Sequence, residues 1–476
     1  MADSRLAIEL FAAIHDGGPA EQIDQQIEAL EVEDVRLFLR SVLALRDQNY
    51  VKAECCLVRL RASPLNSDGL CDLRLSTALQ GQGCVVDAIR VVLEAMRRFG
   101  IDGVREDLIF QLATVCFEAG VPGLWSRCLE KFGFVPDALN GFSLGKYRYL
   151  QGLVLLFEGE YQQGWSLLES RYEAGFVSRR WLASQELRPE NLERAQSVVL
   201  YAESGGLGDV IFSLRFVPLL REYVELISLV CNQNLSEFVG MTDLFDNVIC
   251  GRDWRADPAD RVCSILSLPH VLGLGGPSEQ LLRPLSLRGS GWKGSSRFPS
   301  SDMPPLVAVN WQGDCGKENL GSAGIRGRSF PLACLESIKT LHQCRLISVQ
   351  IGPGAGTIYA SSLADCLVDE QELFNRLPHT LQKTAEILLK VDLLITNDTS
   401  IAHLGGILGV STWVILNAHP YWQWGQQGCF SPWYSSVRCF RQVQSWQWQE
   451  AMAAVDSALR LWLEERVQGQ PFMAHG

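Results

Sequence analysis

The chain has 476 residues, enough for about three domains at roughly 150 residues each. Hydrophobic residues make up 47% and charged residues 20%, with a mean hydropathy of +0.06, which excludes disordered and fibrous classes. The formal charge of −12 argues against a dedicated nucleic-acid binder, which normally carries a basic excess.

The first ten residues, MADSRLAIEL, lack the basic segment of a secretory signal. The first 190 or so residues read as helical. Apolar helices are interrupted at Gln48-Asn49-Tyr50, Gly81-Gln82-Gly83, Glu118-Ala119-Gly120 and Glu158-Gly159-Glu160. Into the following helices fall Ala53, Ala88, Trp125 and Gly164, at spacings of 35, 37 and 39. A period in the mid-thirties is that of a helix–turn–helix repeat, and the match to the tetratricopeptide pattern is degenerate but fair. Stacked units of this kind leave a concave surface, which either docks a partner or acts as a spacer.

From about Ser197 short β-branched runs alternate with helical stretches. "SVVLYA" reads as a buried strand, "ESGGLGD" as a turn, "VIFSLRFVPLLREY" as an amphipathic helix and "LISLVCN" as the next strand, a βαβ unit. "DNVICG" and "VCSILSLP" continue the sheet. Ser286 to Pro305 is rich in Gly, Ser and Pro, as a linker is. The pattern then restarts: "LVAVNWQG" strand, "PLACLESIKTLHQ" helix, "RLISVQIGPG" strand, "TAEILLKV" helix, "DLLITND" strand, "TSIAHLGGILG" helix, "STWVILN" strand. A last helix runs from Trp446 to about Arg466. Ile401 to Val437 contains no Asp, Glu, Lys or Arg, yet its glycines and Pro420 break the run, so a buried helix, strand and loop are expected rather than a membrane span. The expected domains are 1–190, 191–303 and 304–476, carrying charges of −7, −3 and −2.

Fifteen cysteines are scattered without any CxxC. They form neither a disulfide framework nor a zinc knuckle, so reduced cysteines in a cytoplasmic protein are expected.

Four places could carry chemistry. Gly205, Gly206 and Gly208 lie where a strand turns into a helix, and Asp209 opens that helix. It is either a capping carboxylate or a general base at a cleft edge. Asp398, Thr399, Ser400 and His403 lie where another strand meets a helix, whose exposed N–H groups favour an anion. Lys317, Arg326 and Arg328 fall in a loop where Gln312–Ser348 sums to +2, and arginine pairs with phosphate oxygens. Trp422, Trp424, Trp433 and Tyr434 could stack on a base or sugar, or pack the two halves together. No Asp-x-Asp, P-loop, HExxH or GxSxG occurs.

Taken in order, "LLFEGEYQQGWSLLESRY", "YAESGGLGDVIFSLRFVPLL", "SILSLP", "VAVNWQG", "IRGRSFPL", "LLITNDTSIAHLGGILG" and "SPWYSSVRCFRQ" resemble the bacterial tetratricopeptide–glycosyltransferase proteins related to the heptosyltransferase family, glycosyltransferase family 9. The resemblance runs from about Gly145 to the C-terminus. It implies an α plus α/β protein: helical repeats followed by a GT-B pair of Rossmann-like halves, the first on the acceptor side and the second holding the donor.

It also implies a metal-independent, inverting hexosyl- or heptosyl-type transfer from a nucleotide-diphospho-sugar, which serves as co-substrate with no further cofactor. Asp209 matches the family's catalytic base. Arg326 and Arg328, with Lys317 nearby, match the loop that stabilises the leaving diphosphate. Asp398, Thr399 and His403 match the donor motif. The acceptor would be a glycan, a lipid-linked molecule or a protein, docked by the repeats. The sequence departs from the family pattern between Asp314 and Ile325 and by one extra residue at Ser204-Gly205-Gly206. A non-catalytic repeat scaffold and a nucleotide-sugar epimerase are the alternatives.

Overall fold

A computed structural model describes residues 2–103, 105–136, 139–179, 181–203, 206–251, 254, 257, 260–288, 303–314, 327–352, 354–368, 380–445 and 447–467. It divides into two compact units, Met1–Leu150 and Gln151–Gly476.

The first unit is helical: α1 (Ala2–His15), α2 (Ala20–Ile27), α3 (Glu33–Arg46), α4 (Tyr50–Leu60), α5 (Leu70–Gly81), α6 (Val85–Phe99), α7 (Glu106–Glu118) and α8 (Pro122–Lys131), with the division falling within α9 (Gly141–Glu158). From α3 to α8 each helix packs on the next in sequence. The turn chemistry recurs in register. Gln48, Gly83, Gly120 and Gly159 each stand five residues before Ala53, Ala88, Trp125 and Gly164, and all four have positive φ, at 56°, 79°, 70° and 87°. Each is followed by an amide that bonds back across the turn: Asn49 to Ala44 O, Cys84 to Leu79 O, Val121 to Cys116 O and Glu160 to Leu155 O, at 2.8–2.9 Å. These are Schellman closures, in which a left-handed residue lets the chain cap one helix and start another. Ala53, Ala88 and Trp125 are fully buried, and the Trp125 indole donates to Ile109 O at 2.9 Å.

The second unit begins with the latter part of α9 and α10 (Tyr161–Leu168) and continues into two parallel sheets. The first sheet holds β1 (Ser197–Tyr201), β2 (Leu226–Cys231), β3 (Asn247–Cys250) and β4 (Arg261–Ser264) in the order β3-β2-β1-β4. Around it lie α11 (Leu207–Ser213), α12 (Val217–Leu220), α13 (Gln233–Val239) and α14 (Leu268–Val271). The sequence predicts one helix through "VIFSLRFVPLLREY"; the structure delivers α11, a 3-10 turn over Leu214–Phe216, and α12. Pro218 has no N–H to continue the α-helical ladder, which accounts for the change of pitch.

The second sheet holds β5 (Leu306–Val309), β6 (Arg345–Ser348), β7 (Leu393–Asn397), β8 (Thr412–Leu416) and β9 (Val437–Arg441) in the order β6-β5-β7-β8-β9. Its helices are α15 (Leu332–Glu336), α16 (Leu381–Leu388), α17 (Ser400–Ile407) and α18 (Gln449–Val467). Every residue of β5, β7 and β8 is buried, as expected of a parallel sheet covered on both faces. One core joins this sheet to α18 through Trp311, Phe330, Trp413, Trp448 and Trp462. The chain is therefore a mixed protein of helices and parallel sheets. Among the described residues no helix is long and apolar enough to cross a membrane.

Candidate functional site

The site lies where β1 and β7 each run out into a helix. After β1, Gly206 caps α11 in an extended conformation and Asp209 takes the third position of the helix. After β7, Asp398 and Thr399 lead into α17, with Thr399 at the N-cap. The two helices abut. A Cβ built on Gly208 would stand 3.0 Å from His403 Cδ2 and 3.6 Å from Ser400 Cα, so a side chain here would press on the imidazole and glycine lets the two helices approach.

Asp209 is half-buried, and its Oδ1 accepts from the Gln423 amide at 3.2 Å. A carboxylate in the first helical turn is also favoured by the dipole. Asp398 is buried, and its Oδ2 has no hydrogen-bond partner among the described residues. Burial pushes its carboxyl above the usual range, against the opposing pull of Arg328 and the Trp424 indole. Arg328 is half-buried with its Nε unpartnered among the described residues, and its carbonyl accepts from Asn397 Nδ2 at 3.2 Å. Buried Asn310 fastens the end of β5 to β7 and the helix cap: its amide donates to Asn397 Oδ1 at 2.7 Å, Thr396 Oγ1 at 3.2 Å and Thr399 Oγ1 at 3.4 Å.

His403 is buried and held on three sides. Trp424 stacks on it at 4.7 Å and 23°, the Tyr434 hydroxyl lies 2.8 Å from Nδ1, and Gly208 closes the third side. Burial, then the cations Arg215 and Arg328, hold its pKa down to about 3, so the imidazole is neutral at any physiological pH. Gly206, Gly208, Asp209, Arg328, Asp398, Thr399, Ser400 and His403 are thus gathered in one place. Gly205, Lys317 and Arg326 lie outside the described residues. Trp422, Trp424, Trp433 and Tyr434 are all buried and serve as packing. They form an aromatic cluster with Phe212, Phe216, Tyr161 and Trp165.

Three further side chains shape the site and do not stand out in the sequence motifs. Gln423 sits between two tryptophans and touches Asp209. Arg215 is buried inside the apolar run after Asp209; its guanidinium donates to Phe212 O at 2.9 Å and to Trp433 O, and lies 4.0 Å from the Tyr434 ring centroid. A lone cation in that run was the available signal. Glu203, two residues past β1, is buried against Arg171, with Nη2–Oε1 at 3.0 Å, and accepts a hydrogen bond from the Tyr172 hydroxyl at 2.6 Å. Burial would raise its pKa, but Arg171, Tyr172 and Ser264 outweigh it and hold the carboxylate below its usual range. Among the described residues no three of His, Cys, Asp or Glu come together to hold a metal.

No family model matches the chain. A curated relative, Protein FlbA of Caulobacter vibrioides, is 23% identical over 348 residues, covering 67% of this chain and 55% of that protein. The chain therefore spans about half the length of that relative. Among solved structures, a glycosyl transferase family 9 protein from Veillonella parvula is similar at 12% identity and a TM-score of 0.33, over 53% of this chain and 87% of that one. The E. coli heptosyltransferase WaaC with ADP-2-deoxy-2-fluoro heptose is similar at 9% identity and a TM-score of 0.35, over 57% of this chain and 99% of that one. An O-GlcNAc transferase from Thermobaculum terrenum is similar at 10% identity and a TM-score of 0.29, over 98% of this chain and 94% of that one. All three are glycosyltransferases. At these values the likeness assigns no residue a role in this chain.

Proposed function

We propose that the chain is a glycosyltransferase that moves a sugar from a nucleotide-diphospho-sugar to an acceptor hydroxyl with inversion. The observation that carries the reading is the approach of α11, which opens on Asp209, to the N-terminus of α17 across the Gly208–His403 contact, with Arg328 acting on Asp398 and His403 there. A proton acceptor and an anion-binding end stand at the carboxyl ends of two parallel sheets, where α/β proteins bind ligands.

In this reading Asp209 takes the proton of the acceptor hydroxyl as its oxygen attacks the anomeric carbon. The carbon–phosphate oxygen bond breaks on the opposite face, and the diphosphate departs with the electron pair. The α17 N–H groups, the Thr399 and Ser400 hydroxyls, His403, Arg328 and, from the same loop, Lys317 and Arg326 receive that charge. Fixed donors aimed at a developing anion lower the barrier without a metal ion. Asp398 binds a hydroxyl of the sugar. The helical repeats, taken as residues 1–190, present the acceptor to the halves 191–303 and 304–476, and the reaction takes place in the cytoplasm.

Asp209→Asn tests the assignment. Transfer is expected to fall by about 10²- to 10⁴-fold, the usual worth of a general base, while donor affinity stays within roughly twofold. Normal turnover by this variant would remove Asp209 from the mechanism. Thermal shifts with ADP-, GDP- and UDP-sugars separate the enzyme from a scaffold, since a ligand of the native state raises the melting temperature by mass action. No shift with any of them would favour the non-catalytic alternative.

A further inference from the structure

Two side chains at the site have no part in the mechanism above, and both bear on His403. Tyr434 is 2% exposed, and its hydroxyl lies 2.8 Å from His403 Nδ1 and also takes a hydrogen bond from the Arg215 guanidinium. Beside it stands Arg215, 5% exposed, with its guanidinium 4.0 Å from the Tyr434 ring centroid. The direction of the Tyr434–His403 bond follows from what each neighbour can do. A guanidinium carries only donors, so it offers the phenolic proton no acceptor. Asp209 and Asp398 act on Tyr434 through space, and neither accepts from its hydroxyl. If Nδ1 bore the imidazole proton and the phenol accepted it, the phenolic O–H would be buried with no acceptor, which the fold does not sustain without loss. The phenol therefore donates to a bare Nδ1. A neutral imidazole with a bare Nδ1 carries its one proton on Nε2.

The other constraints fix where that proton points. The Trp424 stack sets the plane of the ring. Nε2 lies 3.6 Å from where a Cβ on Gly208 would stand, on the side of the turn into α11. Asp209, Asp398, Arg215 and Arg328 are the charged groups around it, and the two cations oppose a second proton on the ring.

We propose that Tyr434 and Arg215 are positioning residues for His403: Tyr434 donates to Nδ1, Arg215 denies the phenol any other arrangement, and the imidazole is held as the Nε2–H tautomer, a neutral donor to an oxygen of the leaving diphosphate. The ligand half of this inference rests on the transferase reading; the tautomer half does not. His403 thus acts neither as a base nor as a cation. Its advantage over a charged histidine is constancy, because its proton inventory does not change across the working pH range.

The test starts with the full-length wild-type protein labelled with 15N-histidine and no ligand. The chain has seven histidines, and His403→Gln identifies the signal that belongs to position 403. The expected spectrum shows a protonated Nε2 and an unprotonated Nδ1, unchanged between pH 5 and pH 8. A protonated Nδ1, or titration within that window, overturns the proposal without touching the transferase reading. In Tyr434→Phe the signal is expected to move to a mixture of tautomers; an unchanged Nε2–H pattern would show that Tyr434 does not set it. Titration with ADP, GDP and UDP then addresses the ligand. Whichever binds the wild type is expected to bind Tyr434→Phe roughly tenfold more weakly, the scale of one well-placed hydrogen bond to a charged group, and to bind Asp209→Asn unchanged. Equal weakening in both variants would point to general damage rather than to His403. Failure of all three diphosphates to bind a wild type with the expected tautomer would overturn the ligand assignment together with the transferase reading.

Discussion

Asp398 is a carboxyl whose surroundings hold it toward its neutral form, and this makes stability depend on pH in a definite direction. Its folded-state pKa is raised by burial. Such a group contributes its stabilisation fully below its unfolded pKa, about 3.9, and loses it as the pH rises through the folded value. Asp398→Asn keeps the shape and cannot ionise. The variant is therefore expected to gain in melting temperature relative to the wild type as the pH goes from 4 to 7. An offset that is constant over that range would contradict the raised pKa. Gln423 gives a second prediction at this scale. Removing its amide in Gln423→Leu leaves Asp209 Oδ1 without this donor, and kcat is expected to fall about tenfold with the donor KM unchanged, because the change reaches only the base side. The sequence showed Asp209, Asp398 and His403 because they fall at strand-to-helix junctions. Gln423 was not visible as a site residue, and Tyr434 was visible only as a stacking or packing aromatic, not as a partner of His403. Gln423 meets Asp209 across 214 positions and Tyr434 meets His403 across 31, and neither local pattern nor spacing encodes such contacts.

Helix junctions were the most legible elements, and their geometry adds to what the spacing foretold. The 35-, 37- and 39-residue spacings count from anchors that all follow a left-handed residue by five positions. Three of those residues are glycine and the first is Gln48. A side chain in that conformation costs about 1–2 kcal/mol, partly offset by the entropy that glycine loses on folding. Gln48→Gly is thus expected to stabilise the helical unit by about 0.5–1 kcal/mol. Gly159→Ala is the converse test: nothing lies within 4 Å of its added Cβ, so its expected loss of about 1 kcal/mol is a backbone term alone. Thermal unfolding reads both, and a loss on Gln48→Gly would refute the argument. Other elements were less legible. The residues of β9, Val437–Arg441, do not alternate or run together as apolar residues do in β7 and β8, and they become a strand by pairing with β8 from Thr412 to Leu416. The 3-10 turn between α11 and α12 arises from Pro218, whose effect on pitch a periodicity count does not register.

On the scale of the molecule, the segment Tyr161–Arg171 is helical repeat by sequence and part of the second compact unit by contact. Among the contacts that hold it there, two stand out. Arg171 is paired with Glu203 at the end of β1, and Trp165 packs against Phe216 and Trp433. Breaking one partner of a buried ion pair costs about 3–5 kcal/mol, because the other charge stays buried and unpaired. Glu203→Gln is therefore expected to lower the melting temperature markedly, and a fragment of residues 151–476 is expected to melt cooperatively where one of residues 191–476 does not. Circular dichroism of the two fragments decides this, and cooperative melting of the shorter one would show the ties to be dispensable. The change of pattern near Ser197 marks where strands begin; side chains that reach back over the boundary leave no trace in it.

The same cluster has an optical consequence. The indoles of Trp165, Trp422 and Trp433 lie with ring centroids 5.9–6.3 Å apart and with planes steeply inclined, at 59–84°. Chromophores that close and skewed share their excited states, so the protein carries an intrinsic near-ultraviolet signal of the seam between its two sheets. Anything that parts the seam, whether a ligand entering or a hinge opening, would change that signal without a label being attached.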